Sequence, residues 1–563
     1  MRNARWSERA GCAMAVVIGA ALTMTSAFAA NPAPLVSAAD ATRFLEQSSF
    51  GPTPATVGEV QSHGFQMFLQ QQFATPATGY PGYVYYPANE AVGCPTGSPA
   101  NCARDNYSMF PIGMQFFRNT LYGPDQLRQR VAFALSQIFV VSGLEEKQPY
   151  AMAAYQDLLL NDAFVNFKQL LTDVTLSPVM GDYLNMVKNN WNANSVENDP
   201  NENYAREVLQ LFTIGLVELN PDGTPVLVNG KPVPTYGQSQ IDGFADVFTG
   251  WTYPPMPGMT AVWTDPTYFL GVMPGFPTHH DAGGGETLLN NYVLPVTNSQ
   301  TADLADSINN IFMHPNVGPF IGKQLIQMLV TSNPSNAYVK AVAEKFNDDG
   351  TGTRGNMQAV ITEVLTNAEA RSKSDAVAPT FGKLREPALM IASILRGIGG
   401  ATQTDGEFPS VGTPPGYGGG STGMGEPIFD SPTVFNYYQP SYPLPGDPSL
   451  VGPPFGIFDA TTSFSRYSFV NQLLYAPIPA DPSITFITPT GTSVDLSSWV
   501  AAAASATGLI GAINTQFFHN AMSTALNNAL TTLLNQVPAT DPTGRAKAAL
   551  YLALTSPEFQ VEK

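Results

Sequence analysis

Apolar residues recur at helical spacing through most of this chain, and that periodicity sets its fold class. In DQLRQRVAFALSQIFVV (Asp125–Val141) positions 127, 131, 134, 135 and 138 fall on one face of a 3.6-residue helix, a stripe suited to burial. The same pattern predicts helices over Ala38–Gln47, Tyr150–Leu160, Phe164–Val174, Val179–Met186, Asp303–Met313, Pro319–Val330, Ser335–Phe346, Met357–Leu365 and Lys383–Gly397. A C-terminal helical part, about 497–563, adds Ser497–Ala504, Ala521–Leu534 and Pro542–Leu554. Strand signals are few. Leu216–Leu219, Val226–Val228 and Pro232–Tyr236, separated by Pro221-Asp222-Gly223 and Asn229-Gly230, predict a small β-meander inserted at about 216–236. Long Gly/Pro loops cover 75–107, 399–428 and 440–458. No linker or repeat divides the rest, so we expect one large, mainly α, multi-helix domain over residues 30–563.

The first 29 residues stand apart. Arg2, Arg5 and Arg9 precede an apolar run from Cys12 to Leu22, and Ala27-Phe28-Ala29 has the form of a cleavage site. That run is short for a bilayer span. The chain is therefore expected to be exported to the periplasm or beyond the cell, with no membrane span. Loss of residues 1–29, which carry three Arg and one Glu, takes the formal charge from −18 to −20. Such an acidic chain disfavours nucleic acid as a partner. Cys94 and Cys102 remain, close together in a Pro/Gly loop, and an oxidising compartment favours a local disulfide. A metal or redox pair is the alternative, without CxxC spacing or a nearby histidine to support it.

Asp199 to Trp251 holds the densest polar pattern. Asp199-Pro200 reads as a cap followed by proline at the first helical position, with Glu202 placed as a capping-box acid. Arg206 lies at i+4 from Glu202. Glu207 flanks the stripe of Tyr204, Val208, Leu211, Phe212 and Gly215, with Asn203 on the same side. A half-buried carboxyl there titrates high unless paired, which suits a general acid or base; a structural ion pair with Lys383 or Arg385 is the alternative. In PTHHDAGGGETLL, His279, His280 and Asp281 share a Gly-rich loop. They can be solvated surface groups, an acid/base pair or a two-His-one-carboxylate set. The spacing matches no established zinc motif, and the sequence assigns no metal or cofactor. His314 is placed to cap or brace the following helix. Trp251 can stack on a sugar or sit in the core.

In order along the chain, RFLEQSSFGPT (Arg43–Thr53), PNENYARE (Pro200–Glu207), LFTIGL (Leu211–Leu216), FTGW (Phe248–Trp251), the HD loop (His280–Gly283) and HPNV (His314–Val317) form a recognisable series. K-x-R-E-P (Lys383–Pro387), SPTVFNYYQPSYPLPG (Ser431–Gly446) and LTSPEFQ (Leu554–Gln560) continue it. This series resembles the bacterial family of domain of unknown function 1800 over nearly the whole chain. Glu286 stands where that family usually has a lysine, which removes the basic character such a loop would have. The resemblance implies an exported, mainly helical protein. It also implies a possible partner, a second exported protein of the domain of unknown function 1501 family, and it implies no reaction.

Two functions follow from these residues. One is a hydrolase or lyase on an extracellular polymer, with Glu207 as acid/base, Arg206 and Asn203 orienting substrate, and His280 with Asp281 as the second catalytic group. Trp251, His314, Lys383 and Arg385 would then complete the binding site. The other is a non-catalytic scaffold for another exported protein. On the first reading, at least two of the His280-Asp281 loop, His314, Lys383 and Arg385 should lie within reach of Arg206 or Glu207, in a pocket roofed by Trp251 or the 399–428 loop.

Overall fold

Helix boundaries follow the sequence's own punctuation. Ser37 caps Ala38–Ser48 by accepting from the Asp40 amide, and Pro542 at the first position opens Pro542–Leu554 behind Asp541. The computed structural model describes residues 35–191, 200–281, 284–296, 298–399, 423–476, 478–484 and 491–563. The expected export segment, Asp199 and most of the 399–428 loop lie outside the described residues. Leu35–Lys563 forms one compact unit, mainly helical, around a continuous apolar core. The helix foreseen at Asp125–Val141 spans Gln126–Ile138 and is buried on nearly every side. Asp125 does not cap it; its carboxylate instead accepts from the Thr78 amide at 2.8 Å and from Gln129 at 3.0 Å.

β-structure among the described residues is three two-stranded sheets and a set of isolated bridges. The meander forms as expected. Glu218 N donates to Val233 O, Val226 N to Glu218 O, and Val233 N to Val226 O. Asn229 and Gly230 turn the hairpin between Leu227–Val228 and Lys231–Pro232 with φ of 53° and 76°, the left-handed values Asn-Gly accepts readily. The predicted disulfide joins Cys94 and Cys102.

Three expectations change. Lys383–Gly397 is not wholly helical: the helix is Pro387–Ile398, because Pro387 fits a first position, and Lys383–Leu384 instead pairs antiparallel with Val561–Glu562. Val179–Met186 stops at Tyr183, since Asn185 turns left-handed at φ 59°. The 440–458 loop carries a hairpin, Pro443–Leu444 with Asp447–Val451. Helices at Pro54–Ala74, Phe110–Tyr122, Gln238–Val247, Ala460–Tyr475 and Ala506–Phe518 were not foreseen.

Candidate functional site

PNENYARE folds as a short helix, Asn203–Gln210, with Tyr204, Ala205, Val208 and Leu209 buried. It starts later than Asp199-Pro200 suggested, so Glu202 occupies the cap position and makes no capping bond. Its carboxylate accepts from Arg206 at 2.5 Å, the i,i+4 pair the spacing predicts, and from Gln238 at 3.0 Å. Asn203 donates to Asn185 at 2.6 Å.

Glu207 sits half-buried beside that stripe. Loss of hydration pushes its carboxyl above the ordinary range, and Arg206 only partly offsets this. Its Oε2 is buried with no partner among the described residues, and so is the Tyr236 hydroxyl. The two groups feel each other: burial pushes Tyr236 up to about 12, Arg206 pulls it down and Glu207 pushes it up. Tyr183 feels Glu207 and, more strongly, Glu145 and Glu146. Glu146, 8% exposed, is pushed up to about 9 by burial first and by the charges of Asp182 and Glu145 second. Asp182 is also raised by burial, while Tyr253, donating at 2.7 Å, and Lys188 favour its ionised form. Lys188 lies 5.1 Å over the Tyr253 ring and donates to Asp265 O at 2.8 Å. Two carboxyls raised by burial, Glu207 and Glu146, thus act on Tyr183, and the adjacent Asp182 is raised by burial as well. The sequence did not point to Glu146, Asp182 or Tyr236, because nothing local marks their burial.

A strap from Asn185 to Trp191 separates this cluster from the HD loop. Asn189 accepts from Asn201 N at 2.8 Å and donates to Asn201 O at 3.1 Å, while its carbonyl receives Gly250 N at 2.8 Å. Lys188 N donates to Trp251 O at 2.7 Å. Gly250 is required here: its φ is 80°, and a Cβ would come within 2.7 Å of the Gln300 amide and 2.9 Å of His280 N. Beyond the strap, His280 is buried, with Nε2 3.1 Å from Asp303 Oδ2 and Nδ1 3.2 Å from Thr249 O. His279 stacks on Trp263 at 3.9 Å and meets Asn190 at 2.8 Å. The two-His-one-carboxylate set is thus not assembled.

Asp281 groups instead with Asp246 and Glu286, whose ligand oxygens lie within 4.8 Å of one another. Burial and then the Asp281 neighbour push Glu286 up to about 7. These three carboxylates are the described residues best placed to hold a cation; of them only Asp281 was weighed as a ligand, with the histidines as its expected partners.

The remaining expected partners turn elsewhere. His314 is buried and held down to about 4 by burial and Arg354, hence neutral; its Nδ1 accepts from Asn316 N at 3.2 Å, the bracing role foreseen for it. Its Nε2 lies 3.6 Å from Glu218. Trp251, 3% exposed, is a core residue and not a stacking platform. Lys383 lies between Glu386 at 3.3 Å and Glu562 at 3.5 Å, and Arg385 pairs with Glu46 at 3.0 Å. Both belong to a buried charge network, because Lys383–Leu384 pairs with Val561–Glu562 and the helix begins only at Pro387. Glu386 and Glu426 share a hydrogen bond there; Lys383 and Arg130 hold Glu386 low against burial, and burial keeps Glu426 high. Of the expected constellation only Asn203, Arg206 and Glu207 lie together. One turn on, Gln210 and Leu211 border a cavity of about 670 Å³ between the meander, the Val317–Leu329 helix and the 434–454 loop.

No helix among the described residues is long and apolar enough to cross a membrane. No curated protein and no solved structure matches the chain. A family model matches residues 43–561, and the chain belongs to that family, described as "Protein of unknown function (DUF1800)".

Proposed function

We propose that this protein is an exported acid–base enzyme, a hydrolase or lyase acting on a hydroxyl-bearing extracellular polymer. One observation carries the reading: Glu207 presents a buried, unpartnered carboxyl oxygen, raised above the usual carboxylate range by desolvation, beside an equally unpartnered tyrosine hydroxyl. Protonated Glu207 donates to the leaving oxygen, with Tyr236 orienting that oxygen. Asp182, raised by burial with Tyr253 and Lys188 opposing that rise, accepts the proton from water in hydrolysis or from carbon in elimination. His280 and Asp281 have no place in this step. Export is supported by the Arg2–Ala29 pattern.

The test is turnover of secreted polysaccharides, read as new reducing ends or as absorbance of an unsaturated product. Glu207→Gln should lower kcat by about 100-fold or more with the fold intact, and unchanged kcat refutes the assignment. A scaffold role beside a second exported protein of the domain of unknown function 1501 family is the alternative. Exposed Leu216, Leu227 and Val228 on the meander favour it. Charge substitutions at Leu227 and Val228 that abolish co-purification with that protein while no polymer is turned over would establish it.

A further inference from the structure

We propose that Asp246, Asp281 and Glu286, with Asp303 behind them, form a calcium site. Helix Gln238–Val247 supplies Asp246 near its C-terminal end, the HD loop supplies Asp281, and the segment after that loop supplies Glu286. One carboxylate oxygen from each lies within 4.8 Å of the other two, and all three side chains are half-buried. Oxygens on opposite sides of a Ca²⁺ ion stand about 4.6–5.2 Å apart, so one such ion can bridge the set and keep water on its open side.

Asp303 is an independent pointer to a cation. It is 5% exposed, its Oδ2 lies 3.1 Å from His280 Nε2, and its Oδ1 is buried with no hydrogen-bond partner among the described residues. A buried carboxylate oxygen without a donor is costly unless a positive charge meets it. His280, the residue before Asp281, ties Asp303 to the same loop, and the charge of Asp303 reaches the Glu286 carboxyl. The charges acting on Glu286, those of Asp281 and Asp303, are both negative, and a bound cation relieves that repulsion.

The donors select the ion. All four are carboxylates, and His280 spends Nε2 on Asp303 and Nδ1 on Thr249 O. Hard oxygen donors suit Ca²⁺ or Mg²⁺ over zinc, copper or nickel. Mg²⁺ demands a near-ideal octahedron and gives up its water reluctantly, whereas carboxylates drawn from separate segments suit the looser shell of Ca²⁺. Bound there, the ion fastens the HD loop to helix Gln238–Val247. Glu207 takes no part, so the site stands whatever reaction the protein performs.

The test strips the full chain with EDTA and titrates it with CaCl₂ and with MgCl₂ by calorimetry, following the melting temperature in parallel. We expect one Ca²⁺ per chain with Kd on the order of 10⁻⁴ M, Mg²⁺ weaker by about tenfold or more, and a melting temperature that rises with Ca²⁺. Glu286→Gln and Asp246→Asn should each weaken Ca²⁺ by about tenfold or more. Asp306→Asn, on the same helix as Asp303 but outside the set, should leave the affinity unchanged. In EDTA, Glu286→Gln should melt no lower than the parent, because it relieves like-charge repulsion, and it should lose the rise with Ca²⁺. That pair of signs separates a ligand from a residue that only supports the fold. No saturable Ca²⁺ binding up to about 10 mM, equal affinity for Mg²⁺, Ca²⁺ affinity unchanged in both variants, or a parent-like rise with Ca²⁺ in Glu286→Gln overturns the inference.

Discussion

Glu146 shows how far burial alone can move a single residue. Burial and the Asp182 and Glu145 charges outweigh any cation among the described residues, so its carboxyl is pushed up to about 9 in the folded chain, against about 4.5 when exposed. Below the lower value both states are protonated and the contribution to stability is fully present. As pH rises across this window the unfolded chain ionises while the folded one resists, so stability falls. Glu146→Gln, a neutral isostere, should therefore raise stability at the alkaline end by on the order of 1 kcal/mol or more. It should also flatten the dependence of melting temperature on pH. A pH series of thermal melts checks it, and an unchanged slope would mean that Glu146 is hydrated in the fold.

Elements were legible wherever caps and stripes coincided. Asp541 with Pro542 opens a helix whose two ends, Pro542 and Leu554, match the sequence reading, and the Asp541 carboxylate accepts from Gly544 N at 2.8 Å. Asp541→Ala should cost about 1 kcal/mol, read as a lower denaturation midpoint with unchanged slope. Pro54–Ala74 escaped because Gly64, at φ 78°, breaks its periodicity into two. The half-burial of Glu207 was legible because it flanks a stripe within one helix. His280, Lys383 and Arg385 were misplaced because Asp303, Glu562 and Glu46, which claim them, are far along the chain or on other elements. Helical spacing reports a face, and it carries no information on which distant charge that face meets.

At the scale of the molecule, buried ion pairs bind the ends of the core together. Lys383 draws on both Glu386 and Glu562, and Arg466 donates to Arg385 O at 2.9 Å and to Gln560 at 3.0 Å. Glu562→Ala leaves Lys383 with one carboxylate in a water-free setting. It should destabilise by about 3 kcal/mol, measured by chemical denaturation; a loss comparable to that of a surface pair would mean that water replaces Glu562.

Glu46, in the first described helix, is buried against Arg385 and against His519, a residue 473 positions later. A ribosome delivers these partners in that order and at widely separated times. Until the later ones emerge, burying Glu46 would strand a charge, so early collapse of this region is disfavoured. The arrangement acts as a timer on the polypeptide: a stalled or shortened chain, lacking His519, is expected to stay loose and open to proteolysis.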